Sequence, residues 1–153
     1  LSESGLDPKY LEIEITESIA IKNIHKYKKK MNELRALGVK IAIDDFGTGF
    51  SSLNYLVQLP IDILKIDRSF IKEIETSEHA KIVISTIISM SKVLQLDIVA
   101  EGVETLEQFE FIKKAQCSKV QGYFISRPIN INSFEKLLKD DGFLIEHVAE
   151  NIV

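Results

Sequence analysis

The sequence predicts an α/β fold: about five parallel strands with flanking helices, arranged as an incomplete (β/α) barrel. Three observations carry this. Short β-branched runs alternate with longer segments of helical period, no Pro/Gly/Ser-rich linker divides them, and polar residues recur in one phase at the strand ends. Such a strand, helix, strand order calls for parallel pairing through right-handed crossovers, because parallel neighbours cannot be joined by a tight hairpin. With 153 residues the chain affords one sizeable core, whereas a closed eight-stranded barrel takes ~250 residues.

The first strand is expected over Tyr10 to Thr16, where Leu11, Ile13 and Ile15 alternate with Glu12 and Glu14. A helix follows from Ile21 to Leu37, closed by Gly38 in the left-handed C-cap position. Lys26, Lys28, Lys29 and Lys30 in its middle spread around a solvated face. The second strand, Val39 to Asp44, puts Ile41 and Ile43 on one face and Ala42 and Asp44 on the other. After a short helix, Ser52 to Gln58, the third strand runs from Asp62 to Asp67, with Ile63, Lys65 and Asp67 in phase.

The next helix, His79 to Leu96, contains the longest apolar run, Ile82 to Leu94. Ser85, Thr86, Ser89, Ser91 and Lys92 interrupt it, so it falls short of the ~20 apolar residues of a membrane span and reads as a buried helix. The fourth strand, Asp97 to Glu101, precedes a helix from Leu106 to Ala115. The fifth, Lys119 to Tyr123, precedes a last helix from Asn132 to Lys139, for which Ser133 ahead of Lys136 and Leu137 suits a start.

Charge and cysteine content narrow the function classes. Nineteen Lys and Arg against 23 Asp and Glu give a net charge of -4, so there is no overall attraction toward polymeric nucleic acid or an anionic membrane surface. The single cysteine, Cys117, forms no internal disulfide and no zinc site, and reads as a small structural residue. A reducing, cytoplasmic compartment is expected. The chain starts at Leu1 with no charged-then-apolar signal segment, which suggests a piece of a longer protein.

If one face of the sheet curves into a barrel interior, Glu14, Asp44, Lys65, Asp67, Glu101 and Gln121 converge at the C-terminal strand ends, where (β/α) active sites lie. Each alone has a structural reading: Asp44 or Asp45 could cap a turn, Glu14 could be solvated at an edge, and Lys65 could pair with Asp67. Together with Asp45 at the strand-to-loop turn they set five carboxylates against one cation. Two like charges ~4 Å apart repel by about 4 kcal/mol at an effective dielectric near 20, so such a group needs protons or bound cations. Oxygen ligands without Cys or paired His favour Mg2+ or Mn2+, and a divalent ion among carboxylates suits phosphate chemistry. The loop Asp45 to Ser52, with two glycines and three hydroxyls, could cradle a phosphate or be a turn. It is no Walker A loop, and no GxGxxG fingerprint supports a nicotinamide site.

Five ordered motifs make the pattern specific. They are Glu14-Ile15-Thr16-Glu17-Ser18, Ile43-Asp44-Asp45-Phe46-Gly47-Thr48-Gly49-Phe50-Ser51-Ser52-Leu53, Leu59-Pro60 with Leu64-Lys65-Ile66-Asp67, Ala100-Glu101-Gly102-Val103-Glu104-Thr105, and Gln121-Gly122-Tyr123-Phe124 with Arg127-Pro128. From about Leu6 to Leu138 the chain resembles the EAL domain, whose members are bacterial cyclic di-GMP phosphodiesterases with a modified TIM barrel. The resemblance implies hydrolysis of one phosphodiester of cyclic di-GMP to linear pGpG by two-metal catalysis. Glu14 and Asp44 would ligate the first Mg2+ or Mn2+, Asp45 the second with Asp44 bridging, and Asp67 would lie beside it. Lys65 would orient or help activate the attacking water, and Glu101 holds the position of the general base. Glu104 and Gln121 would support the metal and substrate site. Glu17 would hold the Asp45 to Ser52 loop, which in the family couples dimerisation to metal and substrate binding.

The Glu-Ala-Leu signature itself is absent, as is the second-strand segment that supplies an Asn ligand. Both belong upstream of Leu1, so residues 1–153 are expected to be the C-terminal portion of such a domain, with sensor or GGDEF domains upstream in the parent and a homodimer as the assembly. Lacking two metal ligands, the isolated chain is expected to be inactive or nearly so. Two alternatives stay open: a non-catalytic cyclic di-GMP receptor, and an unrelated metal-dependent barrel enzyme using Lys65 as base or Schiff-base amine.

Overall fold

The computed structural model describes residues 1, 3–22, 24–49 and 53–139. Phe50, Ser51 and Ser52 of the quoted loop lie outside them. Five strands form one parallel sheet in the order β1-β2-β3-β4-β5: β1 Glu12–Thr16, β2 Lys40–Phe46, β3 Ile63–Ile66, β4 Asp97–Glu101 and β5 Lys119–Gln121. An order that never reverses is the order of a barrel wall, and it differs from the doubly wound sheet, which reverses at a switch point. Helices fill every crossover: α1 Glu17–Lys22 and α2 Ile24–Ala36, α3 Leu53–Gln58, α4 Arg68–Lys72 and α5 Glu78–Val93, and α6 Leu106–Lys114, with α7 Ile131–Lys139 after β5.

Period-two alternation sorts the strands into two faces. Ile41, Ile43, Leu64, Ile66, Ile98 and Ala100 join Met31, Leu56, Ile84, Ile88 and Ile112 of the helices in the main core, while Ala42, Ile63 and Val99 form a separate cluster on the opposite face. That second face is the one that carries Glu14, Asp44, Lys65 and Glu101. Burying each core Ile or Leu contributes about 1.5–3 kcal/mol, so the sheet phase, and with it the side on which the acidic residues stand, is strongly fixed.

Several boundaries differ from the sequence reading. Tyr10 lies in a single 3-10 turn, Pro8–Tyr10, capped by Asp7, so β1 starts two residues late. The first crossover helix begins at Glu17, directly against β1. Asp67 does not extend β3 but caps a helix, α4, that the sequence did not suggest. Before α7 it is Asn130, not Ser133, that caps: its Oδ1 accepts from Ser133 N at 3.0 Å.

Other expectations match. Gly38 has φ 95, and the Gly38 and Val39 amides return to Arg35 O and Leu34 O, closing α2 with a left-handed cap. Lys28, Lys29 and Lys30 are exposed; the Lys26 side chain lies outside the described residues. Among the described residues no helix is long and apolar enough to cross a membrane. Cys117 Sγ donates to the Ile98 and Lys119 carbonyls, and burial pushes its thiol pKa up, which disfavours the reactive thiolate.

The N-terminal strand ends are tied by structural ion pairs. Asp62 accepts from Arg35 at 2.9 Å and from Ile41 N at 3.0 Å, and Lys119 pairs with Asp97 at 3.0 Å. The opposite, C-terminal ends carry the chemistry.

Candidate active site

Lys65 is the centre of the acidic face. It is 5% exposed on the middle strand, and its Nζ lies 2.5 Å from Glu14 Oε1, 2.7 Å from Glu101 Oε1 and 3.5 Å from Asp44 Oδ1. Asp44 and Glu101 come from the strands on either side. Glu14 reaches across from β1, and its register partner on β2 is Ala42, whose small side chain leaves the way open. The reading that paired Lys65 with Asp67 is not what the fold builds, for Asp67 stands past the end of β3 and is not among these three partners.

Burial alone would lower the Lys65 pKa, but the hydrogen bonds to Glu101 and Glu14 outweigh it and raise it. The group is therefore an ammonium at any ordinary pH. A lysine held protonated in this way is poorly suited to act as a base or a Schiff-base nucleophile, which weighs against the unrelated barrel enzyme. Glu101 is raised as well, chiefly by burial, with the Lys65 contact opposing the shift. One cation shared among three carboxylates compensates each of them only in part.

Asp44 Oδ1 is buried and accepts no hydrogen bond. A buried carboxylate oxygen without a hydrogen-bond donor is costly, and the Lys65 ammonium 3.5 Å away offsets this only in part. Beside it the strand breaks its register between Ile43 and Phe46, and Asp45 takes φ 56. This bulge turns Phe46 onto the helix-side core, out of the phase set by Ile41 and Ile43. Asp45 is raised by burial first, then by its neighbours Asp44 and Asp67.

The turn after β2 is held from β1's side. Glu17 is buried, and its Oε2 accepts from Gly47 N at 2.8 Å. A Cβ on Gly49 would stand 2.6 Å from Glu17 Oε1, so the carboxylate fits under a backbone without side chains. Asp67 spends one oxygen on α4: its Oδ1 accepts from Ser69 N at 2.9 Å and from Ser69 Oγ.

Two sequence candidates stand apart from the ion-paired cluster. Glu104 is exposed, and its amide donates to Gln108 Oε1 at 2.8 Å, outside the cluster. Gln121 is level with Glu101 in the ladder but exposed, at the head of a cleft lined by Tyr123, Arg127, Phe134 and Leu137. Among the described residues no three His, Cys, Asp or Glu side chains converge as a ready metal site. The ammonium of Lys65 sits where they would meet.

Two glycines were missed as site-builders. Gly102, at φ 71, lies against Arg68, and Gly122 lies against the Val103 backbone, each directly after a polar strand end. The signal was the glycine following Glu101 and Gln121. Thr105 and Gln108 form a capping box on α6, and Thr105 Oγ1 also donates to Glu75 at 2.5 Å.

Comparison with known proteins bears on this arrangement. Cyclic di-GMP phosphodiesterase NbdA of Pseudomonas aeruginosa is 45% identical over 139 residues, 91% of this chain but 18% of that protein. Among solved structures, a PaMucR phosphodiesterase in complex with c-di-GMP superposes with a TM-score of 0.84 at 42% identity, over 88% of this chain and 54% of that one. Klebsiella pneumoniae BlrP1 with manganese and cyclic di-GMP gives 0.78 at 34%, over 84% and 33%. The chain thus spans about half, or less, of the length of these relatives. The model of the EAL domain matches residues 1–128, and the chain belongs to the EAL domain family.

Proposed function

We propose that this chain is the C-terminal portion of an EAL phosphodiesterase domain that hydrolyses cyclic di-GMP to pGpG in bacterial signalling. The observation that carries the proposal is the buried Lys65 ammonium with Glu14, Asp44 and Glu101 from three other strands around it, next to an Asp44 oxygen with no donor. A module that only binds an anion has no use for so many carboxylates. NbdA is named for this activity, and the PaMucR and BlrP1 structures hold cyclic di-GMP, the latter with manganese.

The donor chemistry, carboxylate oxygens without Cys or His, suits divalent cations, although among the described residues no three of these side chains converge as they stand. Glu14 and Asp44 would hold one Mg2+ or Mn2+, Asp45 and Asp67 a second, with Asp44 Oδ1 available to either. Bound there, such ions neutralise phosphate oxygens and acidify a water. Lys65 stays protonated and holds the water and the phosphate charge. Glu101, with its raised pKa, takes the water proton as the oxygen adds to phosphorus, and the ester oxygen leaves with a proton from solvent to become a hydroxyl of pGpG. Gln121 and Glu104 flank the substrate path, and Glu17 holds the turn that carries Asp45. A cytoplasmic location, a homodimer and upstream sensor or GGDEF domains complete the reading.

The test is hydrolysis of cyclic di-GMP with Mg2+ or Mn2+, followed by chromatography of pGpG, for residues 1–153 and for the same stretch within its parent protein. The parent should be active and the isolated stretch inactive or nearly so. A parent that binds cyclic di-GMP without cleaving it would establish the receptor instead.

A further inference from the structure

We infer that Phe70 is a positioning residue for the acidic site: its ring closes the Gly47 turn against the Glu17 carboxylate and so fixes Asp45 at the end of β2. Gly47 has φ 98, and a Cβ there would lie 2.7 Å from Phe70 Cε2 and 3.0 Å from Cζ. The ring therefore rests directly on turn backbone. The same turn is held by Glu17, which accepts from Gly47 N at 2.8 Å and packs against Gly49. Thr48 N and Thr48 Oγ1 both donate to Asp45 O, bonds that lie within the turn itself.

Asp45 needs such a hold. A non-glycine residue in the left-handed region is intrinsically disfavoured and persists where its surroundings fix it. Phe70 also belongs to the helix that Asp67 caps, and Phe70 N donates to Asp67 O at 3.2 Å. One short helix thereby sets Asp67 through its cap and, through the ring one turn on, the position of Asp45. Phe70 is only half-buried, whereas Ile74, four residues later, is fully buried in the main core and supplies a control. The catalytic consequence rests on the phosphodiesterase reading; the clamp does not.

The test is hydrogen exchange at the Gly47 amide in the full-length protein, for wild type, Phe70→Ala, Phe70→Tyr and Ile74→Val. Phe70→Ala should speed exchange there about tenfold, while Phe70→Tyr and Ile74→Val leave it within about twofold of wild type. Phe70→Leu keeps apolar volume but loses the flat ring face; it must also speed exchange, and it serves where alanine unfolds the protein. In the cyclic di-GMP assay Phe70→Ala should lower kcat more than it changes KM, and Phe70→Tyr should restore kcat. Unchanged exchange in Phe70→Ala and Phe70→Leu, or equal acceleration in Ile74→Val, overturns the clamp. An inactive wild type overturns the functional reading instead, and the exchange comparison still decides the clamp.

Discussion

Lys65 Nζ and Glu101 Oε1 stand 2.7 Å apart on adjacent strands, and burial acts on the two partners with unequal results. Lys65 gathers three carboxylates and is held more firmly protonated than a free lysine. Glu101 must share that one cation with Glu14 and Asp44, so its own ionisation stays disfavoured. The contact thus holds Lys65 as a cation, while burial, which the contact only partly offsets, disposes Glu101 to accept a proton.

Removing the cation should be costly. In Lys65→Met the apolar stem is kept, but Glu101 and Asp44, 17% and 24% exposed, lose their shared counter-charge. Partial exposure and protonation soften the loss, so the expected destabilisation is about 1–3 kcal/mol, below that of a fully buried broken pair. Urea unfolding in EDTA measures it, and an unchanged midpoint would show that the cluster needs no internal cation.

The raised pKa of Glu101 has a definite sign. Its ionised form is disfavoured by the fold, so the stability it contributes is complete below its ordinary value of 4.5 and declines as pH rises through the folded value. Lys65, also raised, keeps its contribution up to its ordinary 10.5 and loses it only above. Between these limits the metal-free wild type should lose stability relative to Glu101→Gln as pH rises from about 4.5, then run parallel to it. Paired urea midpoints from pH 4 to 8 test this; a wild type that gains on the variant reverses the sign and the assignment.

The sheet phase was legible because period-two alternation is local: Ile41 and Ile43 declare their face, and Ala42 and Asp44 follow. Lys65 was placed on the correct face for the same reason, and Glu14, Asp44 and Glu101 in phase with it do meet it, whereas Asp67, near in sequence, turns to cap α4 instead. Helix α4 was hidden because five residues carry no period and Asp67 read equally well as a strand end. The bulge at Asp45 was hidden too, for nothing in Asp44-Asp45-Phe46 announces a left-handed residue. Phe70 on Gly47 is a contact between distant segments, and no local signal marks it.

Gly122→Ala tests the other boundary of the site. A Cβ at Gly122 would overlap the N and O of Val103 and lie 2.7 Å from its carbonyl carbon. Those atoms cannot yield, because Val103 N donates to Gln121 O at 3.2 Å and Phe124 N donates to Val103 O at 3.0 Å, locking the segments after β4 and β5 together. Admitting one methyl means separating two backbones and loosening both bonds, at a cost of about 2–3 kcal/mol and a Tm lower by roughly 5–10 °C. Because Val103 follows Glu101 by two residues and Gln121 precedes the substituted position, activity should fall further than stability alone accounts for. A variant with wild-type Tm and kcat would mean that these two segments are not locked, and that Gln121 owes its position beside Glu101 to the ladder alone.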